Sequence, residues 1–261
     1  MKTSKVGSFS DHSREREGGR LVYPVLARRS GGLSLGINLF PDRKLCSFDC
    51  PYCEVIAPSR AKPFSPRDLE AELEAFVQAE EAQPGPEPIR DICLSGNGEP
   101  SLSPWLEPAL ETCAKLRRRY PKALGQAKLV IITNSTGFLV PRVSGILATY
   151  AKTEGLEIWA KLDAGDEEGF GVLSGSSYRL GDILAGLASF AASSPVVIQT
   201  MVCALGGEEP GLARLEAYAQ ALAGLLGGGA KIREVHLYTQ ARPALGRSEE
   251  HTSELQSQSL I

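Results

Sequence analysis

Three of the six cysteines in this chain, Cys46, Cys50 and Cys53, fall within eight residues in the run CSFDCPYC. The spacing C-x3-C-x2-C would arise by chance in roughly three of a thousand chains of this composition. Three thiolates in one tight loop can hold three irons of a 4Fe–4S cluster, whose usual complement is four Cys. A missing fourth ligand leaves one iron open, and an open position is what separates a catalytic metal site from a closed structural one. The same residues admit two other readings. Zinc normally wants four N or S ligands, and no His or fourth Cys lies nearby in sequence. An electron-transfer cluster would be expected to bring four cysteines. Cys93, Cys113 and Cys203 stand singly and read as small buried hydrophobes.

The elements that must position such a loop alternate regularly. Strands are expected at 33–40 (LSLGINLF), 89–94 (IRDICL), 127–134 (AKLVIITN), 156–163 (LEIWAKLD), 195–202 (PVVIQTMV) and 232–240 (IREVHLYTQ). Helices are expected at 65–81, 104–120, 141–152, 178–193 and 210–227, the first opening on Ser65-Pro66 with Leu69, Leu73 and Phe76 at helical spacing. Strict β-α alternation implies a parallel sheet covered by helices, either open and doubly wound or wholly or partly barrel-like. In both arrangements the reactive loops sit at the carboxyl ends of the strands. Without an internal repeat or a credible linker, 21–245 reads as one domain behind a polar arm at 1–20.

Those strand ends carry further candidates. Gly96-Asn97-Gly98-Glu99-Pro100 follows the second strand, with Glu99 able to accept from an ammonium. Thr133, Asn134 and Ser135 end the third, where they are candidates to contact a ribose or a carboxylate. Trp159, Lys161 and Asp163 share one face of the fourth by period-2 alternation, Gln199 and Met201 one face of the fifth, and His236, Tyr238, Gln240 and Arg242 one face of the sixth. So long a polar stripe suits an interior, substrate-facing surface better than one packed on helices.

Composition sets the outer bounds. The 261 residues carry 28 Lys+Arg against 31 Asp+Glu, with 43% hydrophobic and 23% charged, the profile of an ordinary globular protein. A net charge of −3 excludes a strongly electrostatic nucleic-acid binder. Arg28-Arg29 and the group Lys115, Arg117, Arg118, Arg119 and Lys122 are the only hints of an RNA substrate, and cations at a helix C-terminus have a simpler reason. No apolar run is long enough for a membrane span and no h-region opens the chain, so neither a membrane segment nor a signal peptide is expected. From Arg247 the tail RSEEHTSELQSQSLI has neither apolar periodicity nor turn logic. It resembles a sequencing adapter read in frame, so 247–261 is set aside as non-native, with the natural C-terminus expected to be missing.

The cysteine spacing, with the aromatic Tyr52 before the last cysteine, resembles the signature of the radical S-adenosylmethionine (radical SAM) enzymes. ARRSGGLSLGINLFP ahead of it and KLDAG, IQTMV and LYTQARP beyond it resemble a branch related to the enzymes that build the wybutosine base of tRNA. The resemblance spans about Tyr23 to Pro243. It implies an α/β fold, a partial (β/α)6 barrel with parallel strands inside and helices outside. It also implies two cofactors, a 4Fe–4S cluster on Cys46, Cys50 and Cys53, and S-adenosylmethionine chelating the open iron. Reductive cleavage of the sulfonium would give methionine and a 5′-deoxyadenosyl radical that abstracts hydrogen from an unidentified substrate. By the same resemblance, Gly96, Asn97, Gly98 and Glu99 receive the methionine amine, Asn97 standing where the simplest motif has a second glycine. Tyr52 lies near the adenine, and Asn134, Ser135, Lys161, Asp163 and Gln199 line the cofactor or substrate space. A flavodoxin- or ferredoxin-like reductant and a cytoplasmic setting follow, since an open low-potential cluster would not survive oxidising surroundings. The readings of a different class remain a non-catalytic iron–sulfur electron-transfer protein and a zinc-stabilised nucleic-acid-binding module.

Overall fold

The computed structural model describes residues 20–27, 29–55, 62–204, 209–239 and the backbone of 258–260. Residues 1–19 of the N-terminal arm, Arg28, Gln240, Arg242 and most of the tail lie outside the described residues. Two compact units divide the chain: Met1–Leu45, Ile56–Ile131 and Glu154–Leu156 in one, Cys46–Val55, Ile132–Thr153 and Glu157–Ile261 in the other.

In the first unit, β2 (Gly32–Asn38), β3 (Ile89–Ser95) and β4 (Lys128–Thr133, whose last two residues fall in the second unit) are parallel neighbours, as the alternation requires. Their inward residues are fully buried aliphatics, among them Leu35, Ile37, Ile92, Leu94 and Leu129. An additional strand, β1 (Val22–Ala27), pairs antiparallel with β2, so the sheet is not wholly parallel. Pro24 in its middle argues against a strand on the page of sequence, yet a proline is tolerated on an edge strand where its missing N–H faces no partner.

Helix α1 (Pro66–Ala82) starts where Ser65 caps it, its side chain accepting from the Asp68 N–H at 3.4 Å, with Pro66 in the first turn. The buried stripe is Leu69, Leu73 and Val77, so the i, i+4, i+8 row faces the core and Phe76 is only half-buried. Helix α2 (Leu106–Arg119) and the single turn α3 (Pro121–Leu124) follow. The cations ending α2 are paired within this unit: Lys115 with Glu70 at 2.6 Å, Arg118 with Glu154 at 2.5 Å, Arg119 with Glu74 at 2.8 Å and Arg117 with Glu154 at 3.7 Å. These four face carboxylates, which weakens the case for a phosphate-binding patch.

In the second unit, β5 (Glu157–Lys161), β6 (Val196–Met201) and β7 (Ile232–Tyr238) are again parallel neighbours, with α4 (Pro141–Thr153), α5 (Glu167–Ser174), α6 (Leu180–Ala191) and α7 (Leu212–Gly227) among them in sequence. All six expected strands and all five expected helices are present, with ends shifted by a few residues. Helix α5 was not expected because eight residues containing two glycines show little periodicity. Asp166 caps it through the Gly169 N–H at 2.7 Å, and Gly175 ends it in the left-handed region. A three-residue strand, β8 (Gln258–Leu260), pairs antiparallel with β7 and lies within the 247–261 tail. Among the described residues no helix is long and apolar enough to cross a membrane.

Truncating a fully buried core residue removes transfer free energy and leaves a cavity. Leu73→Ala should lower unfolding stability by about 2–5 kcal/mol in urea titration. Glu167 accepts from the Leu180 and Gly181 N–H groups at the start of α6, and those hydrogen bonds hold its carboxyl below the usual range. A lowered folded-state pKa gives stability that is present above the unfolded value and lost as pH falls through the folded one. Glu167→Gln should therefore reduce Tm at pH 7, with the difference closing in melts below about pH 4.

Candidate functional site

The cysteine loop of the second unit is held by side chains from strand ends. Cys46, Cys50 and Cys53 are all half-buried thiols, none of them in a disulfide. The loop makes its own tight turn, Cys53 N–H donating to Cys50 O at 3.0 Å, and Asp49 N–H donates to Ser174 O at 2.8 Å at the end of α5. This last contact needs Gly175. A Cβ there would lie 2.4 Å from the Asp49 carbonyl oxygen, and its φ of +57° disfavours any other residue.

On one side the loop is tied to the end of β4. Asn134 Oδ1 accepts from Thr136 N at 3.1 Å and Thr136 Oγ1 at 2.7 Å, while its Nδ2 donates to Ser47 Oγ at 2.8 Å and reaches Cys46 Sγ at 3.7 Å. Ser47 and Thr136 close the ring at 2.9 Å. Ser135, the one non-glycine among the described residues at positive φ (73°), donates from Oγ to Lys161 O at 2.9 Å.

On the other side the loop is tied to the ends of β5 and β6. Tyr52 donates to Asp163 Oδ2 at 2.5 Å. Asp163 also accepts from the Met201 N–H at 2.8 Å and pairs with Lys161 at 3.1 Å. Lys161 in turn donates to Tyr238 Oη at 2.6 Å, its ammonium 5.1 and 5.2 Å from the ring centres of Tyr52 and Tyr238. Register explains why these residues meet. Lys161 pairs with Gln199, and Gln199 with His236, across adjacent parallel strands, so all three project to one face. Gln199 is fully buried and bonds His236 Nδ1 at 3.0 Å, with His236 Nε2 2.7 Å from Glu234.

Burial pulls the Lys161 pKa down, but Asp163 and Tyr238 outweigh it and leave lysine above its ordinary value, a firm cation. Burial pushes the Cys50 thiol up to about 11, against the lowering pull of Lys161 and a Tyr52 hydrogen bond. Burial and then Asp163 raise Tyr52, which stays a neutral donor. Beside this network a cavity of about 580 Å³ is walled by Asp163, Thr200, Met201, Leu215, Tyr218 and Leu237.

The Gly96–Glu99 loop belongs to the first unit. Gly96 sits at φ +132° with Asn38 against it, and Asn38 Oδ1 accepts from the Asn97 N–H at 3.1 Å. Leu45, the residue before Cys46, bonds both ways with this loop: its N–H donates to Asn97 O at 3.1 Å, and its carbonyl accepts from Glu99 N at 2.8 Å. A Cβ on Gly98 would fall 1.8 Å from that carbonyl oxygen, so no side chain is admitted. Glu99 is buried and accepts from Ser101 N–H at 3.0 Å.

Of the expected site residues, Tyr52, Lys161 and Asp163 meet in one network, and Asn134 and Ser135 meet the cysteine loop or the β5 end. Gln199 is engaged with His236. Ser47, Thr136, Asn38 and Gly175 were missed; the glycine after an acid-capped octapeptide was the one available signal. Among the described residues no three His, Cys, Asp or Glu side chains converge on a point that could hold a single metal ion. Such an ion, about 2.3 Å from each sulfur, would draw the sulfurs to within roughly 4 Å of one another.

Gly98→Ala and Gly175→Ala should each distort the loop they close against. Either should lower Tm by several degrees, about 2–4 °C for each kcal/mol lost in a chain of this size, whereas Gly145→Ala, where a Cβ meets nothing within 4 Å, should not.

No family model matches the chain. Two curated relatives, each called "UPF0026 protein", from Helicobacter pylori strains ATCC 700392 / 26695 and J99 / ATCC 700824, are 30% identical over 129 residues, 49% of this chain. The chain spans 38% of the length of each. Among solved structures, a radical SAM methyltransferase from Sphaerobacter thermophilus superposes with a TM-score of 0.52 at 15% identity, over 79% of this chain and 55% of that one. At that identity the likeness is one of fold: this chain shares the mostly parallel α/β architecture of a radical SAM enzyme.

Proposed function

We propose that the protein is a radical SAM enzyme, with Cys46, Cys50 and Cys53 holding a 4Fe–4S cluster open at one iron. The observation that carries this reading is the cysteine loop itself. Three half-exposed thiols sit on a turn pinned to the carboxyl ends of β4, β5 and β6 by Asn134, Asp163 and their partners. Strand carboxyl ends are where parallel α/β folds place their chemistry. A thiolate donor set without histidine suits iron–sulfur ligation, and a cluster, with irons at separate corners, takes sulfurs set further apart than a single ion does.

When bound and reduced, the cluster supplies the electron that splits S-adenosylmethionine into methionine and a 5′-deoxyadenosyl radical. The chain's own residues hold and orient. Glu99, in the glycine loop bonded to Leu45, is assigned to the methionine ammonium together with Gly96, Asn97 and Gly98. Tyr52, fixed by Asp163, presents its ring beside the cysteines. Lys161 is held as a cation by Asp163 and Tyr238 and keeps a positive charge near Cys50. Ser135 and Gln199 complete the same face. A flavodoxin- or ferredoxin-like donor supplies the electron, and a reducing cytoplasm suits free, half-buried thiols. The wybutosine-related resemblance makes a modified tRNA base one substrate candidate, without support from the ion-paired cations of α2.

Anaerobic reconstitution with iron and sulfide, reduction, and assay of 5′-deoxyadenosine from S-adenosylmethionine tests the reading. Product should form and fall at least 100-fold in Cys50→Ala. A full cluster without product would instead select the electron-transfer reading, and bound zinc with no cluster would select the zinc module.

A further inference from the structure

Asn134 is oriented by the backbone rather than by its own preference. The N–H of Thr136 must meet an acceptor, so the amide oxygen is turned toward it at 3.1 Å, and the NH2 group is left facing the cysteine loop. There it has two acceptors, Ser47 Oγ at 2.8 Å and Cys46 Sγ at 3.7 Å. The Phe48 N–H also points at the same sulfur, at 3.4 Å. Cys46 thus receives one N–H from its own turn and one from a different element, the end of β4.

We infer that Asn134 is a positioning residue that sets the reduction potential of the cluster through its hydrogen bond to the Cys46 sulfur. The inference rests on the proposed 4Fe–4S site. Reduction adds negative charge that is shared onto the thiolate sulfurs, and an N–H dipole aimed at one of them stabilises the reduced form. Asn134 therefore faces the protein's own sulfur, and its role is distinct from a contact with ribose or carboxylate.

The test uses the full chain, reconstituted anaerobically, as wild type, Asn134→Leu and Ser47→Ala. Iron per protein, the spectrum of the reduced cluster and a redox titration are measured for each. Asn134→Leu keeps the volume and removes the donor to sulfur together with the acceptor of the Thr136 N–H. It should retain iron while its reduced-to-oxidised ratio at a fixed poise falls about tenfold, equal to about 59 mV for one electron. Ser47→Ala removes the competing acceptor but leaves the contact to sulfur, and should titrate with wild type. A wild-type titration for a fully loaded Asn134→Leu overturns the inference. So does an equal shift, or equal loss of iron, in both variants, because the amide would then act only through the loop. Iron loss in Asn134→Leu with Ser47→Ala fully loaded also overturns it, because the amide would then serve to hold the Thr136 turn rather than to poise the cluster. A wild type that takes up no cluster brings down the proposed function, and is told apart from the other failures by its iron content alone.

Discussion

The carboxylate of Asp163 is the interaction on which the candidate site turns. It is a buried anion, and three segments satisfy it together: the phenol of Tyr52 from the cysteine loop, the ammonium of Lys161 on β5 and the Met201 N–H at the end of β6. A buried ion pair of this kind contributes little net stability, because desolvation of both charges offsets their attraction. What it does is select geometry. With the cation held against it and the backbone N–H fixed by the strand, one position remains for the Tyr52 hydroxyl, and hence for the cysteines on either side of Tyr52. Removing one partner would leave the other charge buried and unpaired, which costs far more than the pair is worth.

The second tie works by a different physical means. Asn134, Ser47 and Thr136 are neutral, and their ring of hydrogen bonds spans one end of β4 and the start of the loop. Ser135 between them adopts a left-handed backbone, a conformation that costs of order 1 kcal/mol and persists only where the surroundings determine it. Its hydroxyl reaches the Lys161 carbonyl, so the strained turn is also the link from the β4 end to the β5 end. Gly175 supplies the third constraint, a close approach of the α5 terminus that a Cβ would forbid.

The strands and long helices were legible because their apolar residues repeat with the right period over six or more positions. Strand β1 was hidden by Pro24, whose edge position shows only once β2 is its neighbour. Helix α5 was hidden by its length and by Gly169 and Gly171. The site was legible where chemistry leaves a mark in residue type: the three cysteines, the glycine run at 96–98, and the face shared by Lys161, Gln199, His236 and Tyr238. It was not legible where a residue acts through distance in sequence. Nothing near Asn134 says that its amide faces Cys46, 88 residues away, and nothing near Tyr52 says that Asp163 is its partner, 111 residues away.

These ties also explain how thiols can stay half-exposed on an ordered turn. Burying the loop would order it, but burial already pushes the Cys50 thiol up to about 11 and would disfavour the thiolate that a metal needs. Leaving it loose would keep the thiols reactive, and the entropy of ordering them would then oppose ligand binding, at roughly 1–2 kcal/mol per residue. Hydrogen bonds from the ends of β4, β5 and α5 resolve the conflict. They hold the loop through the Ser47 hydroxyl, the Asp49 N–H and the Tyr52 hydroxyl, and leave all three cysteines half-buried rather than enclosed. The positive charge of Lys161 acts in the same direction, since it lowers the cost of a thiolate at Cys50 without covering it. In a parallel α/β sheet the loops that leave successive strands gather at the carboxyl edge, so the position of the cysteine loop follows from the topology of the fold.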